Sequence, residues 1–387
     1  MGTPSPSANS SSTSSTEGLP GGRLLVLKVG TTTLMGADGP DPAVLGRLAD
    51  VIAALVAARN RVVLVTSGAV GTGRWRLGMP HRPRSIPEKQ AAAAVGQGIL
   101  MHLYEQALAA RGLTSAQLLL TRADLGDRRR YVNASNTLEV LLAAHAPVVP
   151  IVNENDSVAT EELRFGDNDT LSALVASLVN ADTLFILSDI DALYDADPHT
   201  HPGAQRISQV SAITPAIEAL AGGSGSDLGT GGMATKVAAA RIATSCGIPL
   251  VLLHGQQPEG VLASLRGEPI GTTFLPVETR LEGRKRWLAW GGTPAGRLRL
   301  DAGAARAVLE QGRSLLPAGV QAVEGRFEAG DLVALVAPDG REVARGLVNY
   351  GAEELGRVAG CQSAEIEARL GSKPYDEAVH RNNMVLT

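Results

Sequence analysis

The chain has 387 residues, 44% hydrophobic and 19% charged, with a formal net charge of −4. That length allows two domains with sizeable cores, and that balance marks a soluble globular protein with no electrostatic basis for strong non-specific nucleic-acid binding. No apolar run reaches the ~18 residues that a membrane span needs, and two distant cysteines, Cys246 and Cys361, suit a reducing, cytoplasmic setting and give no metal spacing.

Residues 1–20 are rich in Ser, Thr, Pro and Gly. Such a segment buries too little apolar surface to offset its ordering entropy, so a disordered tail is expected. It lacks the basic start and apolar stretch of a signal peptide. Leu24–Val29 then reads as a buried strand followed by a Gly-Thr-rich turn. Pro42–Arg59 has helical apolar spacing, with Asp41-Pro42 as cap and first-turn proline. Arg61–Thr66 reads as a strand ending in Ser67-Gly68-Ala69, and Glu88–Arg111 as a long helix. Strand Ser115–Leu120, helix Arg128–Ala144 and strand Val148–Val152 follow. Helix Asp169–Val179, strand Thr183–Leu187, helix Val237–Cys246 and strand Pro249–Leu253 complete the series. Strands without polar alternation are buried on both faces, which predicts an α/β three-layer sandwich around a mainly parallel sheet. In such sheets ligands bind beyond the carboxyl ends of the strands, where most of the Gly, Ser, Thr, Asp and Asn clusters fall here.

The pattern changes near residue 285. Arg284-Lys285-Arg286-Trp287 reads as a solvated linker within 284–292, which would close a first domain over 21–283. Short strands at Arg297–Leu300, Gly319–Val323, Leu332–Leu335 and Ala344–Val348, with turns such as Pro338-Asp339-Gly340, predict a small, mostly β domain over 293–387. That segment holds 11 basic and 13 acidic residues, which argues against tight contact with an RNA backbone.

Five features carry chemistry. Gly229-Thr230-Gly231-Gly232-Met233-Ala234-Thr235-Lys236 puts three glycines in four residues before a helical run. A glycine turn lets backbone approach a ligand, and the free N–H groups at a helix start attract an anion, to which Lys236 adds a full charge. It is not a Walker loop, because no Gly-Lys-Ser/Thr stands at the required distance. Lys28 lies inside an apolar strand, before Gly30-Thr31-Thr32-Thr33. It either reaches solvent from the strand end or points at a phosphate; burial without a partner would be costly. Ser67-Gly68 follows a strand, but Val65 stands where a nucleophile elbow needs glycine, so a hydrolase is not indicated. Asn153-Glu154-Asn155-Asp156 and Asp167-Asn168-Asp169 are too dense for helix capping alone and suit a substrate with ammonium and carboxylate groups. Ser188-Asp189-Ile190-Asp191 is not a calcium loop, since Tyr194 and Thr200 stand where glycine and glutamate are required; a strand end near a nucleotide fits better. The seven histidines show no metal-ligand spacing.

Taken together, these segments resemble the amino acid kinase superfamily, and within it the glutamate 5-kinases. The carriers are Val26-Leu27-Lys28-Val29-Gly30-Thr31, Val65-Thr66-Ser67-Gly68-Ala69, Leu120-Thr121-Arg122-Ala123-Asp124, Val152–Asp156, Gly166–Asp169 and Gly229–Lys236. The C-terminal portion, down to Val379-His380-Arg381-Asn382, resembles a PUA domain. The resemblance implies transfer of the ATP γ-phosphate to the γ-carboxylate of L-glutamate, with Mg²⁺ held mainly by the nucleotide phosphates. It also implies a place in proline synthesis, inhibition by proline, a dimer or tetramer, and channelling of product to glutamate-5-phosphate reductase. By the same resemblance Lys28, Lys236 and Asp169 are catalytic, with Asp169 holding the two lysines. ATP would contact Lys28, Ser188, Asp189, Thr230, Gly231, Gly232, Met233, Ala234, Thr235 and Lys236; glutamate would contact Ser67, Asp156 and Asn168. Two departures stand out. Thr32 replaces a frequent serine and keeps its hydroxyl, while Ala192 replaces a usual glycine and would be strained if that position needs a positive φ. The alternatives are a sister kinase acting on acetylglutamate, aspartate, carbamate or UMP, and an RNA-binding protein acting through the PUA-like domain.

Overall fold

The computed structural model describes residues 17–158, 168–198, 200–222, 232–276, 294–372 and 375–387; at 128 and 382 only the backbone is described. They fall in two compact units, one drawn from Met1–Arg122 and Asn133–Arg280, the other from Ala123–Val132 and Leu281–Thr387. The linker expected over 284–292 lies outside the described residues.

The first unit is built on an eight-stranded sheet. Its order is Gln209–Val210, Thr272–Phe274, Leu250–His254, Thr183–Ser188, Leu24–Val29, Arg61–Thr66, Val148–Glu154 and Thr114–Leu120. From Leu250–His254 to Thr114–Leu120 every neighbouring pair is parallel. Only Thr272–Phe274 and its parallel neighbour Gln209–Val210 run against that direction. The sheet is thus mainly parallel, as the unbroken apolar strands require.

Leu24–Val29 is the buried centre. Side chains alternate between faces along a strand. Leu25, Leu27 and Val29 join Leu64, Ile151, Phe185 and Leu187 in one core, with Leu48, Ile52 and Leu55 of helix Pro42–Ala57 and Leu100 and Tyr104 of helix Ile86–Ala109. Each such side chain contributes ~1.5–3 kcal/mol when fully buried. Alternation sends Leu24, Val26 and Lys28 to the opposite face. Helices Asn168–Val179 and Met233–Ser245 pack there, against each other and the sheet. Helix Asn168–Val179 buries every residue from Leu171 to Leu178.

Local chemistry sets the helix ends. Asp41 accepts from the Ala43 N–H at 2.8 Å, with Pro42 in the first turn. Ser85 and Glu88 form a reciprocal capping box, so this helix begins at Ile86, ahead of the expected Glu88. Gly68 adopts φ 106° between strand Arg61–Thr66 and helix Ala69–Arg76, a left-handed conformation that favours glycine.

Three expectations need correction. Helix Met233–Ser245 starts well before Val237, because Gly232 supplies an extended N-cap and Met233, Ala234 and Lys236 favour helix. Lys236 therefore belongs to the first helical turn, not to a preceding loop. Strand Val148–Glu154 runs through Asn153 and Glu154, whose backbones pair with Leu119 and Leu120. Residues 17–20, grouped by composition with the tail, are placed: Leu19 packs on the core and the Pro20 carbonyl accepts from Asn60 Nδ2 at 2.9 Å.

The second unit holds a five-stranded sheet in the order Val320–Gly325, Gly296–Leu300, Leu332–Val336, Glu342–Val348 and Val379–Leu386. Leu298, Leu300, Val333, Leu335, Val348, Tyr350 and Val379 form its core. Strand Val379–Leu386 and helices Ala302–Gln311 and Ala352–Val358 add to the expected short strands. No helix among the described residues is long and apolar enough to cross a membrane.

Helices Ala69–Arg76 and Ile86–Ala109 touch through backbone. A Cβ on Gly73 would lie 1.7 Å from the Ala92 carbonyl oxygen, and one on Gly96 would lie 1.9 Å from that of Ala69. Gly73→Ala gains ~1 kcal/mol of helix propensity but must push two backbones apart. The expected outcome is a net loss of about 1–3 kcal/mol in urea denaturation; a stabilised variant would show that the helices separate freely.

Candidate active site

Two half-sites meet at the start of helix Asn168–Val179. Its first two residues, Asn168 and Asp169, lie beside the carboxyl ends of the central strands.

Asp169 is fully buried. Its Oδ1 lies 2.6 Å from Lys28 Nζ, and its Oδ2 lies 3.3 Å from Lys236 Nζ. Thr235 Oγ1 has one hydrogen to share between two acceptors, the same Oδ2 at 2.9 Å and the Gly232 carbonyl at 2.7 Å. Lys28 and Lys236 are themselves buried, at 7% and 3% exposure. Burial alone would raise the Asp169 pKa; the charges of Lys28 and Lys236 and the hydrogen bonds from Lys28 and Thr235 outweigh it and hold the carboxyl well below the usual range. Two ammonium groups and one carboxylate leave one net positive charge among the three, away from bulk water. Such a charge is costly and is relieved by an anion. Gly232 caps helix Met233–Ser245 with no side-chain hydrogen bond, and the start of a helix favours an anion.

Lys28 thus points into the molecule rather than to solvent. Met233, Ala234, Thr235 and Lys236 form the first turn of the helix. Thr230 and Gly231 lie outside the described residues. Ser188 ends the strand beside Leu24–Val29, one residue past Leu187, which pairs with Val29. It donates to Asp189 Oδ1 at 2.8 Å. Ala192 is buried, and only Arg59 and Asn180 among the described non-glycine residues have positive φ. Alanine is therefore unstrained there, and the concern over this position falls away.

On the other side, the Ser67 N–H donates to the Val29 carbonyl at 3.1 Å, which fixes Ser67 next to the central strand. Asn168 Nδ2 donates to Ser67 Oγ at 2.7 Å and to Asn153 Oδ1 at 3.3 Å. Asn153, buried at the end of its strand, donates to Gln97 Oε1 at 2.7 Å. Asn168 Oδ1 is buried with no hydrogen-bond partner among the described residues. Asp156 stands in the turn after Glu154 and makes no hydrogen bond to Ser67 or Asn168 among the described residues. Desolvation pushes its carboxyl up to about 6. Gln97 and the role of Asn153 in joining it to Asn168 were not read from the sequence. The signal available was a polar residue flanked by Gly96 and Gly98 in an Ala-rich helix.

A model of the amino acid kinase family matches residues 23–254, and one of the PUA domain matches residues 296–370. A glutamate 5-kinase from Moorella thermoacetica is 55% identical over 367 residues, covering 94% of this chain and 96% of that one. The chain belongs to the amino acid kinase family, among the glutamate 5-kinases. Similar relatives include the glutamate 5-kinases of Trichlorobacter lovleyi, 51% identical with 94% and 96% coverage, and Synechococcus sp. strain JA-3-3Ab, 53% identical with 94% and 98% coverage. A Giardia lamblia carbamate kinase bound to AMP-PNP aligns at 17% identity and a TM-score of 0.47, over 66% of this chain and 99% of that one. In this kinase the buried pair of lysines and the amide chain are thus joined through adjacent residues of one helix.

Removing Asp169 leaves two buried ammonium groups facing each other. Asp169→Ala is expected to lower stability by about 3–5 kcal/mol in urea denaturation. An unchanged midpoint would mean that the lysines find other anions in the folded chain.

Proposed function

We propose that the chain transfers the γ-phosphoryl group of ATP to the γ-carboxylate of L-glutamate, giving γ-glutamyl phosphate for proline synthesis. The observation that carries this reading is the net positive charge of Lys28, Asp169 and Lys236 beside a helix start whose N-cap, Gly232, offers no side-chain hydrogen bond, with a separate amide- and carboxylate-lined half-site next to it. The first suits a polyphosphate and the second an amino acid. The names of the similar proteins support the same pairing of substrates.

The acceptor carboxylate has an ordinary pKa near ~4.3, so it is ionised at neutral pH and needs no general base. The barrier lies in bringing an anion to a polyanion. Lys28 and Lys236 neutralise the transferring group, while Asp169 and Thr235 hold Lys236 in place. Asp169 itself carries no proton to or from substrate, since it stays ionised. On the other half-site, Asn168 Oδ1 and the Asp156 carboxylate accept from the substrate ammonium, and the Ser67 hydroxyl donates to a carboxylate. Ser188 and Asp189 would take the nucleoside end of ATP. No group of three or more His, Cys, Asp or Glu suited to a metal occurs among the described residues. Magnesium carried by the nucleotide phosphates would add further charge neutralisation.

γ-Glutamyl phosphate is a reactive acyl phosphate, which favours transfer to a reductase partner. Proline, an amino acid with the same α-ammonium and α-carboxylate groups, is the expected inhibitor. A homo-oligomer and a cytoplasmic location complete the proposal.

Hydroxylamine traps acyl phosphates as hydroxamates. Glutamate with ATP is expected to give a hydroxamate, whereas acetylglutamate, aspartate, carbamate and UMP are not turned over. No glutamate hydroxamate would end this reading. Lys28→Ala and Lys236→Ala are each expected to lower kcat about 10²–10³-fold with the fold retained; near-normal turnover removes that lysine from the mechanism.

The pH dependence follows from Asp156. Below about 6 its carboxyl is protonated and no longer balances an ammonium; above about 6 it is charged. Glutamate keeps both carboxylates and its ammonium ionised through that range. The expected result is a fall in kcat/KM for glutamate as pH drops through about 6, absent in Asp156→Asn. A profile identical in the two proteins assigns the inflection to another group.

A further inference from the structure

The amide chain has a fixed direction. The Glu154 backbone N–H can only donate, and it does so to Asn153 Oδ1 at 2.9 Å. Asn153 Nδ2 is therefore the atom that faces Gln97, at 2.7 Å, so Gln97 must present Oε1 to it. Gln97 Nε2 is left as a buried donor with no partner among the described residues. The same logic fixes the other end. Asn168 Nδ2 spends its two hydrogens on Asn153 Oδ1 and Ser67 Oγ, which leaves Asn168 Oδ1 as a buried acceptor without a partner among the described residues. One backbone N–H thus orients three amides and ends them in one unused donor and one unused acceptor. A buried polar atom left unpaired costs as much as a lost hydrogen bond, and such atoms concentrate where a ligand completes them.

The position of Gln97 is held independently. Gly96, its neighbour, packs without a Cβ against the carbonyl of Ala69 and the N–H of Gly73. Ala69 is two residues past Ser67, so the helix carrying Gln97 is seated on the turn that carries Ser67. An amino-acid substrate offers carboxylate oxygens, which need donors, and an ammonium, which needs acceptors. Asn168 Oδ1 and Asp156 meet the ammonium. The Ser67 hydroxyl is one donor, and Gln97 Nε2 is a second.

We propose that Gln97 contacts the substrate directly, its side-chain amide donating a hydrogen bond to a carboxylate oxygen of glutamate. This rests on the glutamate kinase reading above. Gln97 would act in specificity: a compound lacking that oxygen leaves the Nε2 donor unpaired in the occupied site.

Gln97→Glu and Gln97→Met separate a substrate contact from a purely structural role. Glutamate at 97 still accepts from Asn153 Nδ2 but replaces the donor with a second acceptor. Methionine loses both. A substrate contact predicts that Gln97→Glu raises KM for glutamate about 10- to 100-fold at pH 8, with KM for ATP changed less than about 2-fold and the melting temperature near that of the parent. Glutamate titrated calorimetrically without ATP should weaken by the same factor. A role confined to holding Asn153 predicts instead that Gln97→Glu behaves like the parent and only Gln97→Met is impaired; that outcome overturns the proposal. Should Gln97→Glu not fold, Gln97→Asn, which withdraws the donor by one methylene, must show the same split between the two KM values. A parent enzyme that binds and phosphorylates glutamate while Gln97→Glu matches it refutes the Gln97 contact alone. A parent enzyme that gives no glutamate hydroxamate refutes the underlying function.

Discussion

A single carboxylate shared by two ammonium groups governs this active site. Asp169 has no exposure and pairs with both Lys28 and Lys236, each of them buried. Among these three side chains the charges do not balance: two ammonium groups share one carboxylate. A site neutralised one-to-one would be more stable and would have less attraction for a phosphoryl group. A site without Asp169 would have to give up protons or fold poorly. The arrangement lies between these limits, and it explains why positive charge rather than a proton acceptor is what the site provides.

The second constraint is adjacency. Asn168 and Asp169 are consecutive, yet they serve different halves of the site. Asn168 ties down Ser67 and Asn153, while Asp169 ties down the lysines. One helix start therefore sets the spacing between the amide cluster and the lysine cluster, the halves proposed above for the amino acid and the phosphate. Because helix Asn168–Val179 is buried along its length, that spacing is set by core packing and not by a loop. Orientation of the two reactants is built into the position of a rigid element.

Much of this was legible in the sequence. Apolar runs without alternation gave the central parallel strands, and a lysine within one of them marked Lys28 as unusual. The polar clusters expected at strand ends do come together in the fold, at the start of helix Asn168–Val179. Local pattern could not show what Lys28 pairs with, because Asp169 and Lys236 are distant in sequence and meet only through the fold; that link came from family resemblance. The start of helix Met233–Ser245 was misplaced because a glycine-rich approach looks like loop until Gly232 is seen to act as a cap. Gln97 was missed since a lone glutamine on a helix has no signature. Its meaning depends on its hydrogen bond from Asn153, on the bond that Asn168 donates to Asn153, and on the direction imposed by one backbone N–H. Concern over Ala192 arose from a rule about glycine that the actual backbone does not invoke.

The central strand also bears on how the chain is made. Leu24–Val29 is made before its sheet neighbour Thr183–Ser188 and before the residues that flank Lys28 in the fold, which follow far later in the chain. Until Asp169 has emerged, the nascent chain holds an apolar strand whose lysine lacks the carboxylate that pairs with it in the folded chain. Long-range parallel pairing of this kind is slow and leaves strand edges open. Lys28 thus places a charge near the end of an apolar strand whose partners arrive late, where it acts as a gatekeeper against pairing with a wrong neighbour.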